Sequence, residues 1–419
     1  MKKCIAYIGI WALGAGAWLQ AQEAYRTEVF SAQVKSLQVK VDGELISAPF
    51  LALNGGNMLE VSFDVLNHVQ GRFAFSIIHC NADWTKSVLT PLEYMDGFQG
   101  MPVDDYAQAM TTTTHYTNFR LSLPNDYVRF KVSGNYVLQV YHEDAPDRVI
   151  FTARFFVYES LVGILSAVRG NTDISFNRAH QQLSFRIDCR NMPVAYPQTD
   201  LKINVYQNSR TDNAVTHLQP SLVLDRRLEY DHIPALIFEG GNEYRRIEFL
   251  THRYNGLGID RIRYFNPYYH ADVIRDGSRA GQSYLYDEDQ NGRFFINCSQ
   301  CDEPDTEADY YIVHFAYDSE QIPGGNLYLL GDFVQNRFDA NSLMEYNPQT
   351  QQYEKALLMK QGYYNYQYVF VPEGETKGTV QPAEGSYFQT ENEYTIAVYY
   401  RPAGARFDRL TGISTVKSK

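Results

Sequence analysis

After its first two dozen residues the sequence has no apolar run near the roughly 20 residues that a membrane-spanning helix needs. It also lacks a closing series of alternating strands of the kind that forms an outer-membrane barrel. Long stretches with a 3.6-residue apolar period are missing, so a helical architecture is not expected. Basic residues form no stripe: Arg226-Arg227 and Arg245-Arg246 are isolated doublets, and a nucleic-acid partner is therefore not expected. Catalytic signatures are absent too, with no GxSxG elbow, P-loop or HExxH. The carboxylates are scattered, and none stands out as an acid and base pair. The reading is of a chain that is not an enzyme, with no cofactor, metal or small-molecule substrate. Cysteine is scarce, at 5 in 419 residues.

What is present starts with an export signal. Lys2 and Lys3 give a positive start, Ile5 to Trp18 form an apolar stretch diluted by Gly9, Gly14 and Gly16, and Leu19-Gln20-Ala21 offers a small residue at the cut. Cleavage is expected between Ala21 and Gln22. Cys4 precedes the apolar stretch, so no cysteine sits at the cut to carry a lipid. A soluble periplasmic protein is the expectation. Loss of the two lysines leaves 35 basic against 49 acidic residues, a net charge of −14.

The chain then alternates with period two. In Leu59-Glu60-Val61-Ser62-Phe63-Asp64-Val65 the apolar residues share one face, and Leu183 to Cys189 and Leu201 to Val205 follow the same rule. Turn residues recur at Asn54-Gly55-Gly56-Asn57, Ser133-Gly134-Asn135 and Gly240-Gly241-Asn242. With 33 tyrosines and 24 phenylalanines, the pattern suits half-buried strands and large contact surfaces. An all-β fold of tandem immunoglobulin-like or early-set β-sandwich domains is predicted. After the signal peptide at 1–21, the expected domains are 22–158, 160–303 and 305–419. The acidic stretch Asp302-Glu303-Pro304-Asp305 is read as a solvated, flexible link.

Several residue groups have the composition for chemistry. His79 and Cys80 are neighbours on a strand, so they point to opposite faces and cannot share a proton; His68 and His115 could approach Cys80 only through the fold. Cys298-Ser299-Gln300-Cys301 has CxxC spacing, which in an oxidising compartment can close a small disulfide loop. Two free thiols in a hinge are the other reading. Asp287-Glu288-Asp289-Gln290-Asn291-Gly292 looks like the first half of a calcium loop, but Cys298 stands where a bidentate glutamate is required. A β-turn on Asn291-Gly292 between strands at Tyr284 to Tyr286 and Phe294 to Ile296 is favoured. The order Gly331-Asp332-Phe333, Met344 to Asn347, Tyr353 and Lys360 to Tyr368 resembles early-set modules, some of which bind α-glucans. Where those carry an exposed tryptophan, this chain has Asn336-Arg337-Phe338, and packing is the preferred role for its tyrosines.

Taken together, Ile77-Ile78-His79-Cys80-Asn81-Ala82-Asp83-Trp84, Glu93-Tyr94-Met95-Asp96-Gly97-Phe98, Ser133-Gly134-Asn135-Tyr136, Gln207-Asn208, Gly241-Asn242-Glu243-Tyr244-Arg245, Lys360 to Tyr366 and Gln389 to Tyr394 resemble the type IX secretion system plug protein family. The resemblance implies a periplasmic protein, at the inner face of the outer membrane, whose partner is the outer-membrane translocon barrel. Such a protein closes the barrel's periplasmic mouth when no cargo is passing. It also implies structural roles: turns for Gly97 and Gly134, core filling for Trp84, backbone hydrogen bonds for Asn135. Trp84, Tyr94, Phe98 and Tyr363 are candidate partner contacts. The alternatives are a periplasmic glycan-binding protein and a hydrolase built on accessory sandwiches.

Overall fold

The computed structural model describes residues 23–44, 48–67 and 71–419. The expected signal with its Ala21/Gln22 cut, and His68, lie outside them. The described chain is almost entirely β, arranged as three sandwich modules.

In the first module, strand Leu59–Leu66 buries Leu59, Val61, Phe63 and Val65 on one face. It pairs with Val34–Val41 and Tyr116–Leu123, and Asp105–Gln108 extends the sheet. The opposing sheet is centred on Gly134–His142, between Phe73–Cys80 and the long strand Ala145–Tyr158. Phe63 lies among Phe73, Phe119 and Phe151 with centroids 6.2, 5.3 and 4.8 Å away, within the range where aromatic packing is favourable. A two-stranded ribbon, Met95–Gly97 with Val128–Phe130, closes one end.

The second module opposes a sheet of Gly163–Arg169, His180–Asp188, Arg227–Tyr230 and Leu222–Leu224 to a sheet of Leu201–Gln207, Glu393–Tyr400 and Arg409–Lys417. Leu183, Phe185 and Ile187 share its core with Ile203, Val205, Ile396 and Val398. The third opposes Ile259–Phe265, Tyr268–Val273, Tyr310–Asp318, Gln352–Lys360 and Glu345–Asn347 to a sheet built on Gly362–Pro372, which pairs with Arg245–Phe249, Phe294–Ile296 and Gly325–Leu330. Tyr364, Tyr366 and Tyr368 point into that core.

These pairings redraw two expected boundaries. The cut between 303 and 305 runs through the third sandwich, because Arg245–Phe249 and Phe294–Ile296 pair with Gly362–Pro372. The last strands complete the second sandwich instead, with Leu201 to Gln207 registered against Tyr400 to Tyr394. The third module is thus inserted within the second. Alternation reports that a strand has one buried face, but not which sheet buries it. The acidic link is likewise docked: Pro304–Glu307 forms a short helical turn, Met110 N–H donates to Thr306 O at 2.9 Å, and Arg120 pairs with Asp305 at 3.5 Å.

Candidate partner-binding surface

The stretch from Ile77 to Trp84 runs from a strand of the first module to that module's junction with the second. Trp84 takes a left-handed backbone, φ 66°, which turns its indole into a small core shared with Phe156, Tyr206, Tyr399 and Leu410. Around it, Ala82 N–H donates to Asp408 at 2.9 Å and Asn204 Nδ2 donates to Ala82 O at 2.8 Å. Asn135 Nδ2 donates to Asn81 O at 3.0 Å while its Oδ1 accepts from Tyr399 at 2.7 Å. Asn135 thus makes the backbone hydrogen bonds expected of it. Trp84 fills a core, but one between modules, and at 5 % exposure it cannot touch a partner.

His79 and Cys80 do diverge. His79 packs between Tyr94 and Tyr136 with its Nδ1 2.8 Å from Ser87 Oγ, whereas Cys80 joins the inter-module core. Burial pulls the imidazole down to about 4 and pushes the thiol up to about 12, so neither is poised for proton transfer at neutral pH.

The first and third modules meet at a buried ion pair. Asp64 lies on the polar face of its strand; its carboxylate accepts from Lys360 Nζ at 2.6 Å, Tyr310 OH at 2.7 Å and Asn118 Nδ2 at 2.8 Å. Lys360 also lies 4.1 Å over the Tyr116 ring. The second and third modules are joined by Arg293 and Glu393 at 2.6 Å and by Thr379 Oγ1, which donates to Glu239 at 2.9 Å. The stretches that carry the plug resemblance therefore gather at module junctions.

Other expected site residues fall as follows. Tyr94 is 4 % exposed and donates to Ile77 O at 2.7 Å, so it is framework and not a contact. Tyr363 is half-buried and stacks on Phe295 at 4.5 Å. Cys298 and Cys301 are joined by a disulfide. Asn291 and Gly292 form a turn with φ of 52° and 88°, but Tyr284 to Tyr286 is not a strand. Asp287 instead pairs with Arg246, and Asp289 accepts from the backbone N–H groups of Tyr244 and Asn291. Among the described residues no group of three or more His, Cys, Asp or Glu is placed to hold a metal ion. Asn336-Arg337-Phe338 faces inward: Arg337 pairs with Glu28 of the first module at 2.6 Å, and Phe338 packs on Tyr328.

Phe98 is different, at 78 % exposure. It follows Gly97, which pairs with Val128, so Tyr127 lies across the ribbon. A Cβ on Gly97 would sit 2.0 Å from Tyr127 O, and its φ is +127°. Gly97 thus permits a close strand approach and not a turn; Gly134 does the same, with His79 Nε2 2.3 Å from where its Cβ would be. Leu92 is tied to this end by Lys131 Nζ, which donates to Leu92 O at 2.9 Å, and Val88 by Arg406, which donates to Val88 O at 3.2 Å. Val88, Leu92, Phe98 and Tyr127 are all more than 60 % exposed. The sequence singles out only Phe98 of these four; Val88, Leu92 and Tyr127 carry no such signal, although Leu92 beside Pro91 breaks the alternation.

Residues 34–159, the first module, match the family model described as the type 9 secretion system plug protein first domain. The chain belongs to the type IX secretion system plug protein family. A crystal structure of a hypothetical protein from Parabacteroides merdae is 56 % identical, with 94 % of this chain and 100 % of that one covered and a TM-score of 0.94. No curated protein matches. As a plug-family member the chain takes part in type IX secretion, works with the secretion machinery and is located in the periplasm or the envelope around it. No helix among the described residues is long and apolar enough to cross a membrane.

Proposed function

We propose that this plug-family chain is a non-enzymatic subunit that occludes the periplasmic opening of the type IX translocon barrel while no cargo is in transit, at the inner face of the outer membrane. The plug-family match over the first module carries this reading, since that module also presents Val88, Leu92, Phe98 and Tyr127. An exposed apolar cluster edged by the Glu93–Arg406 and Asp96–Lys131 pairs has the anatomy of a contact surface, apolar at its centre and polar at its rim. Three modules locked by buried junctions supply the stiffness that a stopper requires.

Release needs no chemistry. A barrel state engaged with cargo that binds the plug weakly shifts the population. Going from 99 % occupied to 1 % takes roughly a 10⁴-fold affinity difference between the two barrel states. Affinity purification of the translocon from cells is expected to recover the chain, and deletion of its gene to make the outer membrane leakier. A translocon that never co-purifies with it, or a deletion that leaves permeability unchanged, would end the proposal.

A further inference from the structure

Where the three modules meet there is a cavity of about 230 Å³, close to the lower end of small-molecule sites, roughly 300–1,000 Å³. Every module contributes to its wall: Lys40 and Arg154 from the first, Tyr206 and Thr395 from the second, Arg293 and Arg337 from the third. One part is apolar, formed by Leu37, Phe50, Phe156 and Phe294.

The charge of the wall is opposite to that of the protein. Among the described residues five cations line the cavity, Arg26, Lys40, Arg154, Arg293 and Arg337, against one carboxylate, Asp332. Two of the five are already neutralised, Arg293 by Glu393 and Arg337 by Glu28, both at 2.6 Å. Among the described residues no ion pair holds Arg26, Lys40 or Arg154, and Lys40 meets Glu60 and Asp305 only at longer range. The Arg154 guanidinium lies 4.3 Å over the Trp84 ring, and its Nε donates to Tyr25 O at 2.6 Å. Burial pulls it down to about 10, and lowers Lys40 as well.

Arg154 and Lys40 are half-buried with no ion pair, which costs them part of their hydration, and an anion held by charge-assisted hydrogen bonds offsets that cost. We propose that the cavity binds a small organic anion with an apolar body, of the medium-chain carboxylate class. Arg154, Arg26 and Lys40 hold the anionic group, and Phe50 and Phe156 pack against the body. The site touches all three modules, so an occupant ties them together. The inference does not depend on the plug role, and either can fail without the other.

Trp84 lines the cavity, and a chain prepared from Gln22 onward retains it alone of the 3 tryptophans, Trp11 and Trp18 lying before that point. Its emission therefore reports on the site directly. Titration with octanoate, followed by Trp84 fluorescence and calorimetry, is expected to saturate below millimolar concentration. Octanamide, of the same shape without the charge, is expected to bind at least about 10-fold more weakly. Arg26→Glu, which changes an exposed side chain, should weaken octanoate about 10-fold or more with melting temperature unchanged; Lys40→Glu should weaken it as much and also lower the melting temperature, because it sets a carboxylate opposite Glu60. Absence of saturable octanoate binding, equal binding of octanamide, or indifference to both charge reversals would overturn the proposal.

Discussion

Substitution of Lys360 by Met tests whether the first and third modules are held by a desolvated ion pair. Lys360 is 1 % exposed and Asp64 0 %, so the variant leaves a buried carboxylate with only Tyr310 and Asn118 as donors. Removing one partner of a buried pair costs about 3–5 kcal/mol. A cooperative chain of roughly 400 residues has an unfolding entropy of about 0.8 kcal/mol/K near 60 °C, so the midpoint should fall by about 4–6 °C. Calorimetry of wild type, Lys360→Met, Asp64→Asn and the double variant gives the coupling directly. The double variant should recover at least half of the single loss, since neither charge then remains buried. Burial holds the Asp64 carboxyl above its ordinary value even beside Lys360, and loss of the cation raises it further. A carboxyl with a raised folded pKa favours the fold below its unfolded pKa and loses that contribution as pH rises through the folded one. The Lys360→Met deficit should therefore be largest at pH 8 and shrink toward pH 5. A midpoint shift under about 1 °C, or a deficit that grows on acidification, would refute the reasoning.

Gly97→Ala should cost at least about 2 kcal/mol, because the added Cβ meets Tyr127 O and the backbone is left-handed; chemical denaturation measures it. Phe98→Asp with Leu92→Asp should change stability by no more than about 0.5 kcal/mol per site yet lower recovery with the translocon at least about 10-fold; full recovery would place the contact elsewhere. The Asp289 carboxyl is pushed up to about 7 by burial, so its contribution to stability is present below its unfolded pKa and is lost as pH rises through about 7. Asp289→Asn should flatten the stability profile between pH 6 and 8 by at most about 1.4 kcal/mol per pH unit. Replacing Cys298 and Cys301 together by Ser should cost about 2 kcal/mol, the entropy of so short a loop, measurable as a lowered denaturation midpoint.

The strands were legible where one face meets an apolar core. Leu59 to Val65 and Leu201 to Val205 put their apolar residues on one face as predicted, and their own sandwich buries that face, but the other face is covered as well, at Asp64 by the third module and at Asn204 by the first. The polar side of such a strand was not legible. Asp64 shares its face with Glu60 and Ser62 and reads as solvated, yet the third module docks there and buries it against Lys360. The same limit explains the aromatic candidates. Trp84 and Tyr94 sit beside polar, turn-forming residues, a pattern that fits an exposed anchor as well as a residue roofed by another module. Phe98 shares that pattern and is exposed because the ribbon ends beside it. The nesting of one module inside another left no trace in local periodicity, since pairing partners 187 to 199 residues apart are chosen by register.

That nesting orders the assembly of the chain in time. The first and third modules each have all their strands once residue 385 has been delivered, but the second still waits for Glu393–Tyr400 and Arg409–Lys417. Those strands also supply Tyr399 and Leu410, the far wall around Trp84. Modules generally form as units as the chain emerges, so here the middle of the sequence is sealed last. The final segment acts as a latch: until it arrives, the half-built second sheet and the underside of the first module stand open together, a window in which a chaperone or a protease can act.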